Sequence, residues 1–170
     1  MKCEKCSSLL KKVVIKKYNY GESGVKNVWL MNIPGLLCKN CDQEIAIVPA
    51  PLELHEVIAK AIVLHKTSLL SGEEIRFLRT QLRLSQIDFS KKISLTPESL
   101  SRIENNKLPV SDDTDRRVRL YYIRHLAEPK RSYSLSLDVL DKIISMKAIH
   151  SESFKINHIK NHWELSKVAA

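Results

Sequence analysis

Four cysteines fall in two identical pairs, Cys3-x-x-Cys6 and Cys38-x-x-Cys41. Each pair can place two sulfurs on one tight turn, and two such turns brought together complete a tetrahedral all-sulfur cage for Zn²⁺. The gap between the pairs exceeds the roughly 15–20 residues of compact zinc ribbons. A hairpin accounts for the excess, because its ends lie together whatever its length. All four ligand positions are then filled by protein, so the predicted metal is one structural zinc ion per chain, with no open place for water or substrate. Lys2, Lys5 and Lys39 lie beside the ligands and offset the net negative charge of four thiolates on a divalent ion. The competing reading is redox chemistry at one pair. A thioredoxin-like pair opens a helix inside a βαβ arrangement, and Cys3 has no strand before it. His158 and His162, four residues apart, could share a helix face, but two further ligands for a second metal are not evident.

A second chemistry is carried by an ordered string of polar and apolar residues. Ser71-Gly72-Glu73-Glu74 has capping-box spacing, and Ile75, Leu78 and Leu82 fall on one face of the helix it starts, leaving Arg76, Arg79 and Arg83 largely outward. Ser85 caps a second helix through Phe89 to about Ile93. Thr96-Pro97 opens a third that carries Leu100 and Ile103 inward and stops near Asn105-Asn106. A pair of short helices joined by a tight turn can lay the second helix in a major groove. The outward residues Glu98, Ser99, Arg102 and Asn105 are the candidate readers, and Arg102 is the best candidate for a bidentate contact to a guanine edge. Ser85, Gln86 and Lys107 suit phosphate anchoring. Residues 49–128 hold thirteen basic and eleven acidic residues, so the order of residues carries this inference and bulk charge does not.

The string from Leu84 through Asn106 resembles the Cro/CI-like (Xre) helix-turn-helix, in the Gln at the start of the second helix, the apolar Leu95 and Leu100, and Ser101-Arg102-Ile103-Glu104. It departs at Ser94 and Asn106, positions usually held by glycine. With the cysteine pairs, Ile33-Pro34-Gly35-Leu36-Leu37-Cys38 and Glu44, the order of motifs from Met1 to about Leu126 resembles the MqsA/YgiT antitoxin family. In that family the zinc domain binds a toxin, usually a small ribonuclease, and the C-terminal domain dimerises and represses its own operon at a palindrome. The resemblance implies a sequence-specific repressor, the antitoxin of a type II toxin–antitoxin system, with double-stranded DNA, a cognate toxin and a second copy of the chain as partners. Arg102 matches the family's base-reading arginine. The companion asparagine falls on Glu98, which implies a different operator preference. The stretch from Pro129 to Ala170 lies outside that pattern, and the alternative is a stand-alone Xre repressor of a mobile element with no toxin.

The elements that must position these groups follow from local signals. Lys12–Lys16 and Val25–Leu30 read as strands of a hairpin around the turn residues Gly21-Glu22-Ser23-Gly24. Pro49-Ala50-Pro51 marks a boundary, and Leu54, Val57, Ile58, Ala61 and Ile62 line one side of a connecting helix. Ser111 with Asp112 and Asp113 caps a further helix through Leu126. Its stripe Val118, Tyr121, Tyr122, Ile123 and Leu126 is either core or a dimer interface. Ile87 is offset from the inward Phe89 and Ile93, so it faces a partner or the connecting helix. Leu137, Leu140 and Ile144 suggest one more helix. The expected fold is mainly α with a small β zinc-binding domain: 1–48 zinc-binding, 49–70 linker with helix, 71–128 helix-turn-helix with four to five helices, 129–170 a C-terminal helical extension.

The chain of 170 residues carries 28 Lys+Arg against 19 Asp+Glu, a formal charge of +9, with 44% hydrophobic residues, a mixture that builds a core and excludes wholesale disorder and collagen. No apolar run reaches the roughly 18 residues of a membrane span, and the start lacks the apolar stretch of a signal peptide. A soluble cytoplasmic protein without membrane contact is expected. No nucleophile–base pair, phosphate loop or paired-carboxylate motif points to an enzyme.

Overall fold

In the computed structural model, which describes residues 1–126 and 153–166, the β-branched run Val13-Val14-Ile15 lies in a long strand, β1 (Leu10–Asn19). It pairs antiparallel with β2 (Val28–Cys38), so the predicted hairpin is present and longer than its sequence signal. Asn32, at φ 55°, marks a change of face. The pair Ile15–Ile33 packs inward, and so does Tyr18–Leu30, an odd number of residues away, which a regular pleat would put on the opposite side. Asparagine tolerates this left-handed backbone better than most residues. A short strand, β3 (Glu44–Ala46), pairs antiparallel with the cysteine half of β2.

Pro51 opens α1 (Pro51–Lys60), which continues into a wider π-type turn over Ala61–His65 closed by Lys66 N–H donating to the Ala61 carbonyl at 3.1 Å. Leu54, Ile58, Ala61 and Ile62 are buried as expected. Four helices follow: α2 (Gly72–Gln81), α3 (Gln86–Lys92), α4 (Pro97–Glu104) and α5 (Asp112–Leu126). The predicted caps are all formed: Ser71 with Glu74 as a reciprocal box, Ser85 accepting from the Asp88 amide, Thr96 from Ser99, and Ser111 from Thr114.

The C-terminal segment corrects the expected helical extension where it is described. Residues 154–165 form two strands, β4 (Phe154–Ile159) and β5 (His162–Leu165), and β4 lies parallel to β2 through Val28–Met31. One five-stranded sheet results, in which β3 and β4 share the edge of β2 opposite β1. "Mainly α" therefore understates the sheet. His158 and His162 do not share a helix face. They flank a two-residue turn, Lys160-Asn161, whose φ values of 46° and 68° are those of a type I′ hairpin. The helix suggested by Leu137, Leu140 and Ile144 lies outside the described residues.

The buried side chains make one continuous cluster from Ile15 on the sheet through α1 to Leu126, joined by Phe154, Ile156 and Trp163. Trp163 donates its ring N–H to the Pro49 carbonyl at 3.0 Å and its backbone N–H to Glu53 at 3.2 Å, fixing β5 on the start of α1. Of the α5 stripe, Val118, Tyr122, Ile123 and Leu126 are buried in this core, which removes the stripe as a dimer interface; Tyr121 is half-buried, edge-on to Phe89. Among the described residues no helix is long and apolar enough to cross a membrane.

Candidate metal centre and nucleic-acid interface

Each cysteine pair sits at the tip of a small hairpin. Lys2 bridges to Leu9 around the first, and Leu37 pairs with Glu44 around the second. The two tips repeat one backbone design. Cys3 N–H donates to the Ser8 carbonyl at 2.8 Å and Cys38 N–H to the Gln43 carbonyl at 2.9 Å, while the residues after the second cysteines, Ser7 and Asp42, adopt φ 58° and 50°. The pairing Leu10–Cys38 brings the tips together.

The sulfurs meet accordingly. Cys3–Cys41 and Cys6–Cys41 are 3.6 Å apart and Cys6–Cys38 is 3.3 Å, with all four ligand atoms within 4.8 Å of one another. Tetrahedral zinc with Zn–S bonds of about 2.3 Å separates its sulfurs by about 3.8 Å, within about half an ångström of these three contacts. Cys3 and Cys38 are buried and Cys6 and Cys41 half-buried. Hydrogen bonds from Ser8, side chain first and backbone next, bring the Cys6 thiol down to about 6. Cys41, despite the hydrogen bond from the Gln43 backbone, is pushed up to about 12 by burial and by the neighbouring sulfurs. The crowding of sulfurs around Cys41 is what a bound cation would relieve. Neither pair opens a helix, the context that thioredoxin-like chemistry requires. Bound zinc would tie the two hairpin tips together and supply a structural cross-link.

The second site is built by α3 and α4. Their connection turns at Ser94, φ 55°, and the Leu95 amide closes it onto the Ser90 carbonyl at 2.9 Å. Asn106, φ 57°, ends α4 in the same left-handed region, where Lys107 N–H donates to the Arg102 carbonyl at 2.8 Å. Ser94 and Asn106 therefore adopt the backbone that glycine holds in related turns. Phe89, Ile93, Leu100 and Ile103 seat the helix pair on the core, leaving one face of α4 outside.

On that face Glu98, Arg102 and Asn105 are exposed, as is Lys107 beyond it. The Arg102 side chain has no partner among the described residues. Ser99 is half-buried and its hydroxyl accepts from Thr96 at 3.0 Å. Ser85 is exposed, with its hydroxyl donating to Asp88 at 2.6 Å. Gln86 is half-buried and donates to Glu104 at 2.7 Å. Asn105 is engaged as well, accepting from Arg76 at 2.7 Å.

Arg79 is not outward as its position in the helical pattern suggests. Its side chain is only 13% exposed and pairs twice with the buried Glu104, at 2.6 and 2.9 Å, locking α2 to α4. Sequence reasoning missed this pair because its members lie 25 residues apart. It also missed Arg119, fully buried on α5, which donates to Asp115 and to the Ile62, Val63, Lys66 and Ser68 carbonyls at the end of α1 and its π-type turn. Ile87 is 56% exposed.

Neither a curated protein nor a solved structure matches the chain. Residues 75–114, from α2 to the start of α5, match the family model described as helix-turn-helix, the segment that carries the reading of a DNA-binding transcriptional regulator.

Proposed function

We propose that this chain is a sequence-specific transcriptional repressor that binds a palindromic operator as a homodimer, with Arg102 and Glu98 as the base-reading pair. The observation that carries the reading is the open face of α4. Arg102 is exposed and unengaged on a helix whose opposite side is locked into the core, so the guanidinium is free to take a guanine edge. Ser99 stands with Arg102 and Glu98 as a further reader, Ser85 and Lys107 are assigned to the phosphates beside it, and Gln86 to the same role through the part of its amide that Glu104 leaves free. A two-fold dimer places its two α4 helices about 34 Å apart, one turn of duplex.

Within this reading the chain is an antitoxin, its four-cysteine module holding zinc and meeting the toxin. The support is the order of its motifs, two cysteine knuckles followed by an Xre-type helix-turn-helix. A stand-alone repressor is the second reading. It is favoured by the β4–β5 hairpin, which lies outside the antitoxin pattern and occupies the edge of β2 within the module. Co-expression with the product of the neighbouring reading frame separates the two: a stable complex with a growth-inhibiting nuclease supports the antitoxin, and its absence the stand-alone repressor.

The DNA reading is tested by selecting sites from random duplexes and footprinting the enriched sequence. An inverted repeat is expected. Arg102→Ala should lose about 1–3 kcal/mol of discrimination at one base pair per half-site, whereas Lys107→Ala should weaken all duplexes alike. A protein that enriches no sequence refutes the proposal.

A further inference from the structure

We propose that Arg76, on α2 and outside the helix-turn-helix pair itself, is a phosphate contact, and that Asn105 positions it instead of reading a base. The inference rests on the DNA-binding reading above and adds a residue to it.

The charge of Arg76 is not needed inside the protein. The nearest acid is Glu104, and both of its oxygens are already taken: Oε1 accepts from Arg79 Nε at 2.6 Å, and Oε2 from Arg79 Nη2 at 2.9 Å and Gln86 Nε2 at 2.7 Å. Arg76 Nε stands off at 3.8 Å from Oε2, and its side chain is 48% exposed. One guanidinium neutralises one carboxylate, so a second full charge is left at the surface.

Asn105 directs that charge. Its Oδ1 accepts from Arg76 Nη2 at 2.7 Å, and its Nδ2 donates to the Ser101 carbonyl at 2.7 Å. An asparagine reads adenine by offering both amide atoms to one base edge. Here both are turned to the protein, and the amide works as a strut between α4 and the arginine.

Position decides what the arginine meets. Asn105 follows Arg102 by three residues and Glu98 by seven, on the same side of α4. The eight residues of α4 rise about 12 Å, close to the roughly 12 Å width of the major groove. When the Glu98–Arg102 end lies on the base edges, the Asn105 end reaches the groove wall, where phosphates stand. A cation held there grips the backbone and carries no sequence information.

The test is equilibrium binding of the full chain across a salt series to two duplexes, one carrying the site enriched by the wild-type protein and one with that sequence scrambled. Arg76→Gln should weaken both by the same factor and reduce the salt slope by about 1.8, the value of two phosphate contacts, one from each protomer of the bound dimer. Arg76→Lys should keep the slope. Asn105→Ala should leave the ratio between the duplexes unchanged, and adding it to Arg76→Gln should weaken binding no further. Thermal melts of the same variants verify that each is folded. An unchanged slope in folded Arg76→Gln overturns the assignment, as does an Asn105→Ala protein that loses the preference between duplexes. A wild-type protein that binds neither duplex removes the proposed function and this inference together; wild-type binding with an unaltered Arg76→Gln slope removes this inference alone.

Discussion

Replacing Arg119 with methionine should unfold much of the chain's stability margin without touching either site. The side chain is fully buried, and it donates to Asp115 Oδ2 at 2.9 Å and to four carbonyls, Ile62, Val63, Lys66 and Ser68, at 3.0, 2.9, 3.2 and 2.8 Å. These carbonyls lie at a helix end and just beyond it, where intrahelical donors run out. Methionine fills comparable space and donates nothing. Asp115, with a side chain 1% exposed, would retain the Leu70 amide at 2.7 Å and face no cation. Breaking such a buried pair costs about 3–5 kcal/mol, and each orphaned buried acceptor about 1–3 kcal/mol. The terms overlap in one network and do not add, so a total of about 4–6 kcal/mol is expected against a typical stability of 5–15 kcal/mol. Urea unfolding followed by circular dichroism measures it, and the melting temperature should fall by about 10–20 °C. Arg119→Lys should recover only part, because an ammonium has three donors on a single nitrogen and cannot span the fork. An Arg119→Met protein within about 1 kcal/mol of wild type would refute the view that this guanidinium holds α1 to α5.

Two further outcomes follow from particular residues. Ser94→Gly relieves an exposed serine at φ 55° and should raise stability by about 1 kcal/mol, read as a shifted denaturation midpoint with sequence preference unchanged. Protein prepared without added metal should contain one zinc per chain, and chelation should expose amides near Leu10–Cys38 to hydrogen exchange before those of α2–α5, because pairing with β4 and burial of Val28 and Leu30 hold the other half of β2. Uniform loss of protection along the chain would contradict that order.

What the sequence disclosed was local. Ser71, Ser85, Thr96 and Ser111 each announce a helix start because the cap bond spans three residues, and each bond is formed. The cysteine cluster was legible for a similar reason: the ligand spacing within each knuckle is itself the signal. What stayed hidden depends on partners far along the chain. Arg79 sits in a helical pattern that gives no hint of Glu104, and beyond the nearby Asp115 nothing reveals that Arg119 also donates to four carbonyls more than fifty residues earlier. Gly72 reads as a mere helix start, yet a Cβ there would lie 2.0 Å from the Ile103 carbonyl oxygen, so its absence lets α2 and α4 touch. The β4–β5 hairpin did carry a weak cue, since Phe154 and Ile156 alternate with Lys155 and Asn157. A run that short is compatible with helix or strand until its partner strand is known.

These distant contacts share one target, the helix α1 between the cysteine module and the reading helices. Its first turn is held by β5, through Trp163 on the Pro49 carbonyl and Glu53 on the Trp163 amide. Its far end is held by Arg119. His55 in its middle bonds Tyr20 of the sheet side at 3.0 Å and Gln81 of α2 at 3.3 Å, and packs edge-on against Phe77. Beyond it Lys66 pairs with the buried Glu74 at 2.7 Å, so the connection to α2 is tied down as well. A linker fastened at both ends and at its centre cannot act as a free hinge without breaking buried polar bonds. The sheet that carries the cysteine cage therefore stands in a set orientation to the open face of α4.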